Sequence, residues 1–329
     1  MKHTATSKAT RQISTPPILR VSNLKHAYKG HRALQGVTFQ IHPGEIFGIL
    51  GPNGSGKSTL FKILSTFLLP SSGDATIAGQ SILTNSMDVR ERLGVVFQSF
   101  GLDSKLTVHE NLLHQGHLYG LQGEILEERI KKLLEDFGIA ERANSRIDTL
   151  SGGLQRRVEI AKGLLHAPML LLLDEPSTGL DPGARLDLWR YLEFCRKKAG
   201  TTIVLTTHLI DEADQCDRIA IMDHGQVVAE GSPADLKGQI GGDVVVVESP
   251  DADTLSRKIK RRFRLDAQRV GGELLIEAKE GHRLIPKLAQ AFPKLIESLT
   301  LRKPTLEDVF MRKTGHRLWD EGTTKDEAA

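Results

Sequence analysis

The chain has 329 residues, with 44 Lys+Arg against 41 Asp+Glu, a formal net charge of +3, and a composition 26% charged and 39% hydrophobic; these are the values of a folded globular protein and exclude a mainly disordered one. The length suits one large domain plus a smaller one and excludes a small scaffold held by disulfides. The longest uninterrupted apolar run, Met169 to Leu173, is five residues, where a bilayer-spanning helix needs about twenty, and the near-balanced charge offers no broad surface for nucleic acid.

Residues 1–17 contain basic residues but no apolar stretch of the kind a secretory signal requires, and predict a disordered tail. Apolar and polar residues alternate over Val37-Thr38-Phe39-Gln40-Ile41 until Pro43-Gly44 ends the run, so a half-buried strand opens the fold. Ile46 to Leu50 is a short apolar run, followed by a glycine-rich segment and by Leu60, Ile63, Leu64 and Phe67 at helical spacing. The order predicted is strand, glycine loop, helix. A second strand, Leu93 to Phe97, leads into Gln98. Leu126, Ile130, Leu133, Leu134 and Phe137 then mark an amphipathic helix closed by Gly138, in a mainly helical stretch from about 99 to 167. Met169 to Leu173 and Thr202 to Leu205 are brief apolar runs around a helix from Arg185 to Lys198, the alternation of a parallel sheet covered by helices. Cys195 and Cys216 are too far apart for a Cys-x-x-Cys motif and are expected as inert thiols of a reducing compartment.

Gly238, Gly241 and Gly242 interrupt the chain before Val244-Val245-Val246-Val247, which places a boundary near residue 236. Strand (Asp243–Glu248), helix (Asp253–Phe263), two short strands split by Gly271-Gly272, helix (Leu284–Phe292), strand (Ile296–Leu301) and a helix from Leu306 follow in βαββαβ-like order, a small α+β module. Thr305 and Asp308 form a capping box for that last helix. The basic run Lys258-Ile259-Lys260-Arg261-Arg262 is explained by a solvated helix face. The expected domains are therefore a tail (1–17), an α/β domain (18–236), the module (237–314) and a polar tail (315–329).

Gly51-Pro52-Asn53-Gly54-Ser55-Gly56-Lys57-Ser58-Thr59 matches G-x-x-x-x-G-K-[ST] between a buried strand and a helix, the context in which that motif binds phosphate. Its glycines let consecutive N–H groups turn into one concavity and the helix adds the positive end of its dipole. Lys57 then sets a point charge on the β- and γ-phosphates, and Ser58 offers a hydroxyl to Mg²⁺. Leu170-Leu171-Leu172-Leu173-Asp174-Glu175 is a buried strand delivering two carboxylates at its C-terminal end, where open α/β sheets bind ligands. Asp174 would hold Mg²⁺ through water, and Glu175 would orient or deprotonate the water attacking the γ-phosphorus.

Between these halves stands Leu150-Ser151-Gly152-Gly153-Leu154-Gln155, followed by the helical run Arg156 to His166. With this third motif the chain resembles the ABC ATPases over about residues 18 to 235; Leu154 stands between the second glycine and Gln155, a variation on the family's LSGGQ-like signature. A serine and two glycines at a helix N-terminus make a second anion site, which one chain cannot turn onto the γ-phosphate held by its own phosphate loop. The resemblance implies a head-to-tail homodimer with Ser151, Gly152, Gly153 and Gln155 acting in trans. It also implies a P-loop NTPase (RecA-like) core with antiparallel β and α-helical subdomains, ATP and Mg²⁺ as cofactors, and Tyr28 stacked on adenine. Gln98 would contact metal and lytic water, Asp181 in Ser177-Thr178-Gly179-Leu180-Asp181-Pro182 would lie in the loop crossing the dimer, and His208 would contact the γ-phosphate.

One nucleotide-binding domain and no membrane span fit the ATP-binding subunit of a transporter, cytoplasmic and peripheral on the inner face of the membrane through a separate permease, with no specific nucleic acid expected. A soluble ABC ATPase of the translation or DNA-repair type is the alternative, and a small-molecule kinase has no use for Ser151-Gly152-Gly153. Phe97-Gln98, Gly101-Leu102-Asp103, Leu106-Thr107, Glu110-Asn111-Leu112, Leu118-Tyr119-Gly120-Leu121 and the ending Pro304-Thr305-Leu306-Glu307-Asp308-Val309-Phe310 resemble the ATPase subunits of ABC-2-type exporters, including the daunorubicin-resistance-like group. Such subunits serve drugs, lipids or polysaccharides, and cargo is chosen in membrane helices outside this chain.

Overall fold

The computed structural model describes residues 15–270 and 272–318. The chain runs through β1 (Leu19–Tyr28), β2 (His31–Ile41), β3 (Ile46–Leu50), α1 (Lys57–Leu64), β4 (Ser72–Ile77), β5 (Gln80–Ser81), α2 (Ser86–Glu91) and β6 (Leu93–Val96). It continues with α3 (Val108–Leu118), α4 (Gly123–Asp136), α5 (Gly152–Leu164), β7 (Leu170–Asp174), α6 (Pro182–Ala199), β8 (Thr202–Thr207), α7 (Ile210–Ala213), β9 (Arg218–Asp223), β10 (Gln226–Gly231) and α8 (Pro233–Gly238). The last part is β11 (Asp243–Glu248), α9 (Ala252–Phe263), β12 (Ala267–Val270), β13 (Glu273–Ala278), α10 (Gly281–Ala291), β14 (Ser298–Arg302) and α11 (Leu306–Thr314).

A six-stranded sheet of order β10-β9-β3-β8-β7-β6 forms the centre; β9, β3, β8, β7 and β6 pair in parallel and β10 adds an antiparallel edge. Its parallel strands are buried on both faces, which is why β3 and β7 read as continuous apolar runs, whereas the edge strand β10 is only partly buried. Because side chains alternate across a strand, the run Leu170 to Leu173 divides. Leu170 and Leu172 enter the core shared with α1 and the antiparallel sheet β2-β1-β4-β5. Leu171 and Leu173 enter the core shared with α3, α4, α5 and α6. The expected α/β core with antiparallel and helical subdomains is the architecture observed.

The module is a four-stranded antiparallel sheet, β12-β13-β11-β14, in the βαββαβ order read from the sequence. Alternation along β11 again splits its valines: Val245 and Val247 pack with Leu255, Ile259, Leu284 and Leu288 of α9 and α10, whereas Val244 joins the core of the first domain. That second face is covered by α11, whose Leu306, Val309, Phe310 and Met311 lie in one cluster with Leu236, Ile240, Ile219 and Ile221. The Thr305–Asp308 capping box forms, and Asp308 also accepts from Arg302. The boundary near 236 is therefore a shared core, with no linker for a truncation to cut cleanly. The polar tail expected from Gly315 needs a correction: Arg317 donates to Glu273 at 2.8 Å and Leu318 is 1% exposed, because an apolar residue just past the Gly315 cap can return to the surface α11 covers. The rest of that tail, and residues 1–14 of the N-terminal one, lie outside the described residues. Cys195 and Cys216 are buried and unbridged, and burial pushes the Cys195 thiol up to about 12, consistent with inert thiols.

A candidate ATP-hydrolysis site

The phosphate loop joins β3 to α1 and is shaped by close approaches of other backbone. A Cβ on Gly56, which has φ +100°, would lie 2.5 Å from the Ala33 carbonyl oxygen, and one on Gly51 would lie 2.5 Å from that of Met222; both positions demand glycine. The Ser55 carbonyl accepts from Gly225 N–H at 3.0 Å, so the β9–β10 turn braces the loop from behind. Ser55 Oγ is buried and has no partner among the described residues. Lys57 Nζ donates to the loop's own carbonyls, Gly51 at 2.8 Å and Pro52 at 2.9 Å. Burial pushes this ammonium below the ordinary lysine range, opposed by Glu175 and then Asp174. A buried cation whose hydrogen bonds among the described residues go to neutral carbonyls is a strong attractor for phosphate. Tyr28, His31, Asn53, Gly54, Gly56, Lys57, Ser58, Thr59 and Glu175 share one cleft of about 210 Å³. Tyr28 is 43% exposed at that cleft and forms a T-shaped pair with His26 at 4.6 Å.

β7 ends beside β8 in parallel register, with Asp174 opposite Thr206. The Thr206 hydroxyl donates to Asp174 Oδ1 at 2.5 Å and accepts the Glu175 N–H at 3.0 Å. One hydroxyl thus orients both carboxylate residues. Burial raises the Asp174 pKa, the Thr206 hydroxyl opposes this, and Glu175 adds to the rise. Glu175 has φ +45°, a left-handed conformation that costs a non-glycine residue on the order of 1–2 kcal/mol. The turn brings its carboxylate to a common point: Oε2 lies 3.2 Å from Gln98 Nε2, 3.2 Å from Thr178 Oγ1 and 3.2 Å from His208 Nδ1. Gln98, Glu175 and His208 thus come together from loops after three different strands. Thr206 and Thr178 escaped the sequence reading; the only signal for them was their position at a strand end and in the loop after Glu175.

The Gln98 amide donates through nitrogen to Glu175, which leaves its oxygen available. That oxygen, the exposed Ser58 hydroxyl and the Asp174 carboxylate are all oxygen donors, the chemistry that suits Mg²⁺.

Ser151 caps α5 by accepting from Leu154 N–H at 3.4 Å. Gly153 is small because α6 is close: a Cβ there would lie 2.9 Å from Ala184 Cβ. Among the described residues beyond its own helix, nothing lies within 4 Å of a Cβ on Gly152, so packing there supplies no reason for a glycine. None of Ser151, Gly152 and Gly153 lines the cleft that holds Lys57. Gln155 departs from its expected role: its amide donates inward to the carbonyls of Ile147 at 3.1 Å and Leu150 at 3.0 Å. At the fourth helical position its side chain reaches back over the loop that precedes the helix. Asp181 caps α6 through Ala184 N–H at 2.9 Å.

The same helix α5 grips the Gln98 loop. Arg156, 2% exposed, donates to the Phe97 and Gln98 carbonyls at 2.9 and 3.0 Å, and Glu159 accepts Gly101 N–H at 2.6 Å. Glu212, 1% exposed, accepts from Thr207 and Ser177, tying the strand before His208 to the loop that leads to Asp181. The backbone at Gln98 and the N-terminal half of α5 are thus held together within one chain.

Residues 34–178 match the ABC transporter family model, and residues 231–314 match the C-terminal domain of DrrA1-3-like ATP-binding proteins. The chain is similar to the daunorubicin/doxorubicin resistance ATP-binding protein DrrA of Streptomyces peucetius, 36% identical over 98% of this chain and 98% of that protein. It is also similar to the Nod factor export ATP-binding protein I of Rhizobium sp. strain N33, 37% identical over 91% of this chain and 97% of that protein. Among solved structures, a dimeric ATP-binding cassette in a post-hydrolysis state bound to ADP and Pi is 31% identical, covers 65% of this chain and 98% of its own, and superimposes with a TM-score of 0.59.

Proposed function

The chain belongs to the ABC transporter family as an ATP-binding subunit, and from that premise we propose that it is the motor of an ABC-2-type exporter, hydrolysing ATP at two shared sites of a homodimer. It is an ATPase that powers a separate exporter permease. The observation that carries the site assignment is the convergence of Gln98, Thr178 and His208 on one oxygen of Glu175, beside the Lys57 loop.

ATP enters with adenine on Tyr28 and its phosphates against the N–H groups of Gly54 to Thr59. Lys57 exchanges its two backbone carbonyls for phosphate oxygens. Ser58, Asp174 and Gln98 would hold Mg²⁺, which when bound neutralises charge developing on the β- and γ-phosphate oxygens. Glu175 holds the attacking water and takes its proton, and His208 fixes the Glu175 carboxylate. The Ser151 cap and the open Gly152 face the γ-phosphate held by the partner copy, with the Asp181 loop at the same junction. The module from about residue 237 supports the dimer.

The shared site has a direct test. Ser151→Arg removes the cap and blocks the α5 N-terminus, so turnover falls by more than about tenfold, as for loss of a transition-state donor, while ATP binding to the monomer persists. Mixed with Lys57→Ala, it forms heterodimers in which one interface retains an intact loop and an intact signature. Partial recovery of phosphate release on mixing is the expected result. Verified heterodimers with no recovery, from mutants that each retain dimerisation, would argue against independent shared sites.

No helix among the described residues is long and apolar enough to cross a membrane, and the permease is engaged at the surface. Phe67 and Phe97, 74% and 38% exposed, border a groove of about 240 Å³ that also includes Thr66, Arg90, Val95 and Tyr119. Such exposed aromatic side chains form binding anchors when an apolar helix covers them. Gln98 follows Phe97 directly, so displacement of the groove reaches Glu175. With its side chain in solvent, Phe67→Asp should leave basal hydrolysis within about twofold and weaken permease binding and transport by about tenfold or more, as for an interface anchor. Equal losses in basal hydrolysis and transport would remove the coupling assignment. The subunit then sits at the inner face of the membrane through the permease.

A further inference from the structure

At the far side of the phosphate loop, the C-terminal segment meets the β9–β10 turn. Asp223 ends β9 and is 9% exposed, His224 follows in the turn with φ +43°, and His316 comes just after the Gly315 cap of α11. One ligand-type atom from each of the three lies within 4.8 Å of the others. His316 Nε2 is 3.2 Å from Asp223 Oδ2, and His224 Nε2 is 3.9 Å from Asp223 Oδ1.

The hydrogen bonding of His316 decides what this cluster needs. Its Nδ1 is 3.1 Å from the Arg317 carbonyl oxygen, and a carbonyl only accepts, so Nδ1 carries a hydrogen. In the neutral ring the Nε2 lone pair therefore points at a carboxylate oxygen that also has only lone pairs. Two acceptors at that separation need a positive centre between them, either a second proton on the ring or a cation. A proton would satisfy His316 and Asp223 alone; a metal ion also uses His224. The 3.2 Å spacing is close to the roughly 3.4 Å edge of a tetrahedron with bonds near 2.1 Å. A histidine whose second nitrogen is held by a carbonyl is the usual arrangement of a metal ligand.

We propose that Asp223, His224 and His316 bind a divalent transition-metal ion of the zinc class, with water completing the coordination, and that the ion clamps the C-terminal segment to the turn that braces the phosphate loop. Two imidazoles and one carboxylate select zinc-like ions over Mg²⁺, which prefers all-oxygen sites. The clamp reaches the nucleotide loop through short links: Gly225 N–H donates to the Ser55 carbonyl at 3.0 Å, the Gly225 carbonyl accepts from Gln35 N–H at 2.8 Å, and the His224 carbonyl accepts from Gln35 Nε2 at 2.7 Å. The proposal stands on this geometry and does not depend on the ATPase assignment.

The test is titration of the metal-free, full-length protein with Co²⁺, followed by visible absorption, with Zn²⁺ as competitor. Tetrahedral d–d bands saturating at one ion per chain are expected, displaced by Zn²⁺. His316→Ala and His224→Asn should each weaken that uptake by about tenfold or more; asparagine tolerates the left-handed backbone and the His224 side chain is 81% exposed, so the second variant keeps the fold. At a hundredfold excess over the wild-type Kd, Zn²⁺ should raise the Tm of the wild type by about 5 °C and that of a variant weakened tenfold or more by about half as much or less. Identical titrations for the wild type and both variants would place the bound ion elsewhere. No saturable uptake, with His316 titrating by NMR as an imidazolium paired with Asp223, would show that a proton fills the gap. Either result overturns the proposal.

Discussion

Glu175→Gln is expected to reduce ATP hydrolysis by about 10²–10⁴-fold, the contribution of a general base, with ATP binding retained. Glutamine fills the same volume and its amide oxygen can still accept from Gln98 and Thr178, which donate to the carboxylate oxygen that His208 Nδ1 approaches at 3.2 Å. What it lacks is a site for the proton of the attacking water. The left-handed backbone at this residue is held by Thr206 through both its carbonyl and its hydroxyl, so the substitution leaves the turn intact. Phosphate release measured beside the affinity for a fluorescent ATP analogue separates the two effects. The ATP-bound dimer should accumulate and be visible by light scattering. A variant that hydrolyses at more than about a tenth of the wild-type rate would pass the base role to another group.

Lys57→Ala should weaken ATP binding by about thirtyfold to several thousandfold, and turnover with it. That range corresponds to the roughly 2–5 kcal/mol lost when one partner of a buried charge pair is removed. The fold should persist, because the ammonium is desolvated at a cost in the ligand-free protein and its loss removes that cost along with two hydrogen bonds to Gly51 and Pro52. A linked pH effect follows. The folded protein holds this lysine below its unfolded pKa, so between those two values the unfolded chain binds more protons and ligand-free stability rises with pH. Bound phosphate reverses the shift by favouring the charged form. Nucleotide titrations and thermal unfolding of both proteins check these points; unchanged ATP affinity in folded Lys57→Ala would dismiss the phosphate-loop assignment.

The parts of this protein legible in sequence are those whose signal is local. Gly51 to Thr59 must contain its glycines and lysine within one turn, because the N–H groups and the charge act on the same phosphate. Leu170 to Glu175 is apolar throughout because both faces of β7 are buried, and acidic at the end where the strand leaves the core. The βαββαβ order of the module was readable for the same reason, since strand and helix periods change over a few residues.

Convergence in space is another matter. Thr206 acts on Asp174 only because β7 and β8 pair in one parallel register, and neither strand's own pattern states its partner. Gln155 was expected in the second anion site, yet its amide turns inward to the carbonyls of Ile147 and Leu150 in the preceding loop. The chain past Gly315 reads as a polar tail, but Leu318 is buried because α11 has carried it back to the first domain. His316 and Asp223, 93 positions apart, meet for that reason. Sequence alone therefore determined the phosphate loop, the acidic strand end, the signature turn and the order of elements in the module, all set by short-range backbone demands and by burial of each element's own faces. Which loops meet at Glu175, where the module joins the first domain and what His316 faces were decided by packing between elements, where sheet register and shared apolar cores bring together side chains that no local pattern relates.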